Sequence, residues 1–166
     1  VDRDEEAIVG KEWGERTHPE SALGHLEIGG YDMERGAKVS GARFGFIIGD
    51  AARLSLALYR LALDRLTEAG FTPVLPPVLV REEAMYGTGF FPSEKSDYYE
   101  LPEDGLYLVG PSEVPLIAMH LGEILEQLPL RYCAFSSCCR RESCSAGRDP
   151  TGMFRVHQFK QAWMVG

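Results

Sequence analysis

A long amphipathic helix that leads into a proline-rich segment is the feature of this sequence that most constrains its fold. Leucines recur at helical spacing on one face of residues 51–69, namely at Leu54, Leu58, Leu61 and Leu66. We expect Asp50 to cap the start of this helix and Gly70 to end it. Residues 71–80 contain three prolines, which argue against a helix and against a central strand. The pattern therefore predicts a helix followed by an edge strand or an extended interface segment.

Shorter elements on both sides of this helix are consistent with one domain over residues 1–166. The segments predicted as strands are 43–48, 98–101, 106–110, 130–142 and 153–159, and those predicted as helices are 81–86 and 114–125. The last two strands are expected to pair as a hairpin across the serine- and glycine-rich loop 143–152. Segment 24–40 carries several glycines and mixed charges, so we predict short strands or loops there.

Composition limits the classes of function. The formal net charge is −8, whereas nucleic-acid binders rely on basic surfaces, so charge alone does not suggest RNA binding. One local basic group is present, made up of Arg140, Arg141, Arg148 and Arg155. The apolar runs are too short to span a membrane, and the acidic start lacks the apolar stretch of a signal peptide. We therefore expect a cytoplasmic protein with no membrane partner.

All four cysteines fall in one short stretch, at Cys133, Cys138, Cys139 and Cys144. A secreted disulfide scaffold would spread its cysteines along the chain. The spacing also differs from that of zinc fingers, and adjacent cysteines do not easily share one tetrahedral site. We predict small buried or loop cysteines and no metal site.

The predicted hairpin carries the residues with the clearest chemical potential. Arg140 and Arg155 lie on adjacent strands and can converge on one phosphate, which the planar guanidinium binds through two hydrogen bonds. Glu142 shares the strand face of Arg140 and can accept from an amino group, while an aromatic residue one strand over can stack on a flat base. These residues fit a nucleotide site. They also fit a solvated hairpin with surface ion pairs, and the residues alone leave both interpretations open.

Several strings in order along the chain resemble class II aminoacyl-tRNA synthetases. The string 70–77 after the long helix resembles motif 1 of that class (about 50–80), and Arg140-x-Glu142 with the string 154–159 resembles motif 2 (about 130–160). Four further strings are similar to the seryl-tRNA synthetases in particular, namely 25–29, 38–44, 87–90 and 128–132. The resemblance extends from about Trp13 to Phe159.

The resemblance implies an α+β fold, with an antiparallel sheet flanked by helices and no Rossmann arrangement. It also implies a homodimer through motif 1, with ATP and Mg²⁺ as cofactors. The reaction implied joins serine and ATP to form seryl-adenylate and pyrophosphate, after which the seryl group passes to tRNA. Such chemistry depends on positioning and charge neutralisation more than on a protein nucleophile.

The resemblance also implies roles for individual residues. Arg140 would be the catalytic residue that holds the α-phosphate and the serine carboxylate. Glu142 would read the adenine amino group, and Phe159 would stack on adenine. The other implied ATP-binding positions are Val156, which lines the pocket, Arg155, which supports it, and Arg141, whose side chain faces away while its backbone lines the site.

The serine pocket departs from the family pattern. Pro111-Ser112-Glu113 stands where the family has Thr-x-Glu, and proline offers neither a side-chain donor nor a backbone N–H. Glu113 can still bind an ammonium or hydroxyl group, whereas Ser112 would point to the opposite face. Trp163 falls where a serine-contacting glutamate is expected. A site that loses such a partner loses much of its discrimination.

Two other departures bear on activity. Motif 3 would follow Gly166, and the coiled-coil arm that grips tRNA would precede the sequence, so the resemblance predicts an incomplete catalytic domain with little hold on tRNA. Three hypotheses follow. The chain is a truncated seryl-tRNA synthetase with weak or lost activity, a non-catalytic module that dimerises through motif 1, or a paralog that activates another small amino acid.

Overall fold

The computed structural model describes residues 10–11, 14, 23–24, 27–142 and 153–166. The predicted loop 143–152, with Cys144 and Arg148, lies outside the described residues. Eight strands and four helices occur in the described part, together with one turn of 3-10 helix at Lys95–Asp97. In chain order they are β1 Tyr31–Asp32, α1 Met33–Ser40, β2 Phe46–Ile47, α2 Asp50–Glu68, β3 Thr72–Val74, β4 Leu79–Arg81, α3 Glu82–Gly87, β5 Glu100–Leu101, β6 Leu106–Leu108, α4 Glu113–Ala118, β7 Tyr132–Cys139 and β8 Gln158–Val165.

The principal sheet has the order β3-β7-β8. Strands β7 and β8 pair antiparallel over their whole length, as the sequence predicts, from Tyr132 opposite Val165 to Cys139 opposite Gln158. Strand β3 pairs with β7 in the parallel sense, so this sheet is mixed. The prolines of segment 71–80 predict an edge position, and β3 indeed lies at the edge, with Pro73 inside the strand.

The second sheet has the order β4-β6-β5 and is antiparallel throughout. Strands β5 and β6 lie within the predicted strands 98–101 and 106–110 and form a hairpin, with Leu101 opposite Leu106. Beneath this sheet the main core packs against α3 and α4, where Met85 and Val114 are fully buried. The ring of Phe91 meets the rings of Tyr98 and Tyr107 edge-on, with centroids 5.7 and 5.0 Å apart. Edge-to-face aromatic contacts of this kind add to the energy of burial.

Helix α2 occupies the predicted span but differs in two respects. Gly49 is its N-cap, and Asp50 is instead the first helical residue, which places a carboxylate in the favourable first turn. The helix has no buried residue. It contacts the principal sheet through Tyr59, whose ring lies 4.5 Å from that of Phe135 and whose hydroxyl donates to the Lys160 carbonyl at 3.1 Å. On its leucine face Leu54, Leu58 and Leu61 are 54–61% exposed among the described residues.

Three local predictions are wrong. Segment 24–40 contains the helix α1, which Asp32 caps by accepting from the Arg35 amide at 2.8 Å. The helix predicted over 114–125 ends at Ala118, and Gly122 further on has a positive φ of 75°. The strand predicted over 153–159 begins only at Gln158 and runs to Val165. Among the described residues no helix is long and apolar enough to cross a membrane.

A matched pair of methionines tests where the core lies. Met85 is fully buried and Met119 is 46% exposed. Met85→Ala should lower the free energy of unfolding by about 2–5 kcal/mol, because it leaves a cavity in the core. Met119→Ala should change that free energy by less than about 0.5 kcal/mol. Urea denaturation at one fixed protein concentration measures both values, and equal losses would contradict this placement of the core.

Candidate nucleotide site

The register of β7 and β8 brings the predicted site residues to one face of the sheet. Cys138 lies opposite Phe159, and Ala134 lies opposite Trp163. Because side chains alternate along a strand, Phe159 and Trp163 share this face with Cys138, and Arg140 is two residues further along. The pairing extends one step beyond β7, since the Arg140 amide donates to the His157 carbonyl at 2.9 Å.

The Arg140 side chain is held in a narrow space beside Gly110 and Tyr98. A Cβ atom at Gly110 would lie 2.7 Å from the Tyr98 ring and 3.1 Å from Arg140 Nε, so only glycine leaves room here. Tyr98 is 2% exposed. Burial raises the pKa of its phenol well above the ordinary value, with the Arg140 charge acting in the opposite direction. Tyr98 therefore stays a neutral wall of the site.

Two arginines of the site carry buried donors without acceptors. Arg140 Nε and Arg155 Nε are buried, and neither has a hydrogen-bond partner among the described residues. The terminal nitrogen of Arg155 pairs with the Glu142 carboxylate at 2.5 Å. Glu142 has a positive φ of 52°, which turns the backbone at the end of the strand. A buried N–H without an acceptor costs about 1–3 kcal/mol, so these donors favour an anionic ligand.

Arg141 is placed differently from its two neighbours. Its side chain contacts the loop that precedes β5, through the Tyr98 carbonyl and the Tyr99 ring. Val156 is half-buried between Arg155 and His157. The structure thus places Arg140, Glu142 and Arg155 at one end of the hairpin. The Arg141 guanidinium instead contacts Tyr98 and Tyr99 in the loop before β5.

His157 is a site residue to which sequence reasoning assigned no role. Its ring Nδ1 donates to the Arg140 carbonyl at 3.0 Å, and its amide donates to the Arg43 carbonyl at 3.1 Å. The imidazole lies between the rings of Phe44 and Tyr99, with centroids 5.3 and 6.4 Å away. His157 thereby ties two distant loops to the strand end. Sequence reasoning also gives no role to Tyr98 or Gly110. Gly110 directly precedes Pro111, a predicted serine contact, and this adjacency is the sequence signal that could have pointed to it.

The residues predicted to bind serine are largely enclosed. Pro111 and Ser112 are buried, and Ser112 Oγ lies 3.7 Å from Cys138 Sγ. The Cys138 thiol also donates to Gln161 Oε1 at 3.4 Å. Burial raises the pKa of this thiol, which keeps it protonated and unreactive. Ser112 thus packs in a polar contact on the sheet face that carries Phe159.

The other two predicted serine contacts are half-buried. Glu113 is the first residue of α4, and Trp163 lies on β8 opposite Ala134. Within the described ranges, no group of three or more His, Cys, Asp or Glu side chains is arranged to hold a metal ion. Cys138 and Cys139 lie on opposite faces of β7, since neighbouring strand residues alternate.

Comparison with known proteins gives a consistent result. The family model described as tRNA synthetase class II core domain (G, H, P, S and T) matches residues 98–164. The serine–tRNA ligase of Streptomyces coelicolor is 55% identical over 151 residues, which cover 90% of this chain and 35% of the relative. That of Mycobacterium tuberculosis strain H37Rv is 52% identical over 152 residues, which cover 88% and 36%. The chain therefore spans about a third of the length of these curated relatives.

Two solved structures share the fold. Seryl-tRNA synthetase from Pyrococcus horikoshii complexed with ATP superposes with a TM-score of 0.76 at 46% identity and covers 80% of this chain and 30% of its own. Cytoplasmic serine–tRNA ligase from Naegleria fowleri in complex with AMP gives 0.74 at 35% identity and covers 80% and 32%. These matches confirm the predicted α+β fold of the class II type. The chain belongs to the seryl-tRNA synthetase family and corresponds to part of its catalytic core.

Proposed function

We propose that this chain binds ATP at the end of the β7–β8 hairpin and takes part in forming seryl-adenylate, from which the seryl group passes to tRNA. The observation that carries the proposal is the pair of buried donors Arg140 Nε and Arg155 Nε, which have no acceptor in the part of the chain that the structure describes. They lie at the strand ends that also carry Glu142 and Phe159. Support also comes from the Pyrococcus horikoshii and Naegleria fowleri structures, which hold ATP and AMP.

In this proposal each residue contributes binding or charge. Arg140 neutralises the α-phosphate while a serine carboxylate oxygen attacks phosphorus and pyrophosphate leaves. Phe159 provides a flat surface for adenine, and Glu142 accepts from its amino group. Arg155 holds the Glu142 carboxylate through the ion pair at 2.5 Å. No step needs a protein nucleophile, because positioning and a preorganised positive charge lower the barrier of such a displacement.

Arg141 and Val156 complete the predicted nucleotide site, the first through its backbone and the second as half-buried lining. Mg²⁺ is implied by the resemblance alone, and nowhere in the described ranges do three acidic, histidine or cysteine side chains meet to hold a metal ion. Divalent magnesium prefers carboxylate and phosphate oxygens in octahedral geometry. No step is therefore assigned to it.

The serine end of the proposed site contains Pro111, Ser112, Glu113 and Trp163. Glu113 alone among them carries a charge that can bind the ammonium group of an amino acid. Trp163 is half-buried on the same face as Phe159. This end favours either weakened serine binding or use of another small amino acid, and the exchange experiment below separates the two.

We further propose a homodimer through helix α2, in a cytoplasmic protein that meets serine and tRNA. An apolar groove runs between residues 28–31 and one face of α2, and it is lined by Leu54, Leu58 and Tyr59. Leu54 and Leu58 are 61% and 57% exposed. Exposed leucines that line one continuous groove are typical of a surface covered by a partner.

Titration with ATP and with AMP tests the nucleotide site. Arg140→Ala should weaken binding of both nucleotides about 10- to 100-fold, because a charge-assisted hydrogen bond to the α-phosphate is lost. Isothermal titration calorimetry gives both dissociation constants. Arg60→Ala is the control, since Arg60 is 79% exposed on α2 and pairs only locally with Asp64 at 2.8 Å. Unchanged affinity in Arg140→Ala would contradict the proposed site.

Amino-acid-dependent ATP–pyrophosphate exchange tests the serine end. The assay is run with serine, threonine, glycine and alanine. Because Pro111 and Trp163 replace groups that would hydrogen-bond serine, the double variant Pro111→Thr/Trp163→Glu should raise serine-dependent exchange at least about tenfold over the unaltered chain. Exchange with serine that is already efficient in the unaltered chain would refute a weakened pocket. Exchange with another amino acid alone would favour the paralog hypothesis.

Sedimentation equilibrium tests the dimer. Leu54→Glu/Leu58→Glu should raise the dimer dissociation constant by more than about 100-fold, because each buried leucine contributes roughly 1.5–3 kcal/mol and each new carboxylate would need desolvation. Leu128→Glu is the matched control, since Leu128 is 75% exposed and lies outside the groove. A monomeric unaltered chain, or a dimer that survives the double variant, would rule out this interface.

A further inference from the structure

Arg141 holds one loop through three contacts, although it lies between two predicted nucleotide-binding residues. Its amide donates to the Asp97 carbonyl at 2.7 Å. Its side-chain Nε donates to the Tyr98 carbonyl at 2.9 Å. Its guanidinium carbon lies 4.9 Å from the centre of the Tyr99 ring. One residue of the strand end therefore fixes three consecutive residues, 97–99.

Tyr98 passes this constraint to Arg140 by direct packing. The Tyr98 ring is 2% exposed, and it lines the narrow space that Gly110 leaves for the Arg140 side chain. A buried ring in a close-packed core cannot shift without its backbone, because voids and overlaps are both costly there. Loosening the Tyr98 carbonyl from Arg141 thus loosens one wall of the space that holds Arg140 Nε.

Tyr99 provides a second route to the same arginine. Its ring meets the imidazole of His157 edge-on, with centroids 6.4 Å apart. That imidazole donates from Nδ1 to the Arg140 carbonyl at 3.0 Å. The Arg141 guanidinium, the Tyr99 ring and the His157 imidazole thus form a short chain of contacts behind the strand end.

We propose that Arg141 is a positioning residue, which sets nucleotide affinity because its side chain holds loop 97–99 against Arg140 and does not itself contact the nucleotide. The proposal rests on the nucleotide site proposed above. It requires arginine in particular, because a planar guanidinium can stack on a ring and donate from Nε at the same time. Lysine at this position keeps the charge but cannot make both contacts at the same time.

Charge-conserving and charge-removing variants separate positioning from direct charge. Arg141→Lys and Arg141→Met should each weaken ATP and AMP binding about three- to thirtyfold, the range for coupling through packed neighbours. Arg60 provides matched controls, since it also donates from Nε, to the Asp64 carboxylate on the surface. Arg60→Lys and Arg60→Met should leave both affinities unchanged. Circular dichroism and thermal melting confirm that each variant is folded.

Variants of Tyr99 test the contact between its ring and the Arg141 guanidinium. Tyr99→Phe keeps the ring and should bind nucleotide as the unaltered chain does, whereas Tyr99→Leu should lose affinity as Arg141→Met does. The double variant Arg141→Met/Tyr99→Leu should lose little more than either single variant, because the two residues act through one contact. Fully additive losses would show that they act separately and would overturn the proposal.

The remaining outcomes are also decisive. If Arg141→Lys keeps full affinity while Arg141→Met loses it, the charge acts directly and positioning is refuted. Loss of ATP affinity with AMP affinity intact would mean contact with the outer phosphates, which also refutes it. If the unaltered chain binds neither nucleotide, the proposed function fails, and hydrogen exchange of peptide 94–99 decides the inference. Faster exchange in Arg141→Lys supports the role of Arg141 in holding loop 97–99, and identical exchange overturns it.

Discussion

The antiparallel register between β7 and β8 is the constraint on which the rest of the site depends. It fixes which side chains share a face over eight consecutive pairs. A slip of one residue would move Phe159 and Trp163 to the opposite face, where α2 packs. The pair between Arg140 and His157 extends the same register past the strand end. Because this pairing sets the position of Arg140 at the end of the hairpin, it determines where its buried Nε donor lies.

Sequence alone could predict those parts of the fold whose signal is local. The span of α2 follows from leucine periodicity, and the edge position of β3 follows from prolines that cannot donate to a ladder. The end of α4 could not be found in this way. Residues up to 125 keep a helical pattern, yet Ile124 is 95% exposed, so no packing stabilises a longer helix. Strand β8 starts late because residues before Gln158 are engaged elsewhere, as the contact of His157 with Phe44 shows.

The same distinction applies within the candidate site. The hairpin pattern predicts Arg140, Glu142 and Arg155 close together on adjacent strands. In the structure Arg155 pairs with Glu142, while Arg140 and Arg155 lie just outside β7 and β8. It cannot predict Tyr98 or Gly110, because these belong to the second sheet and reach Arg140 only through tertiary packing. Their positions depend on the close fit of two separate elements, for which a single sequence carries no periodic signal. The sequence could therefore propose candidate residues for the site, whereas the surroundings that orient them required the structure.

The proposed nucleotide end and the proposed amino-acid end of this site are held by partly different parts of the fold. Arg140 and Phe159 lie where loops 41–45 and 97–99 hold the strand ends, whereas Trp163 lies four residues further along β8, about 14 Å at the usual rise per residue. Ser112 packs on the same face, against Cys138, which lies opposite Phe159. A change at Trp163 therefore leaves the contacts of Arg140 intact, and nucleotide binding can persist while amino-acid recognition changes. For this reason ATP affinity alone would not demonstrate serine activation, and the two properties need separate measurement.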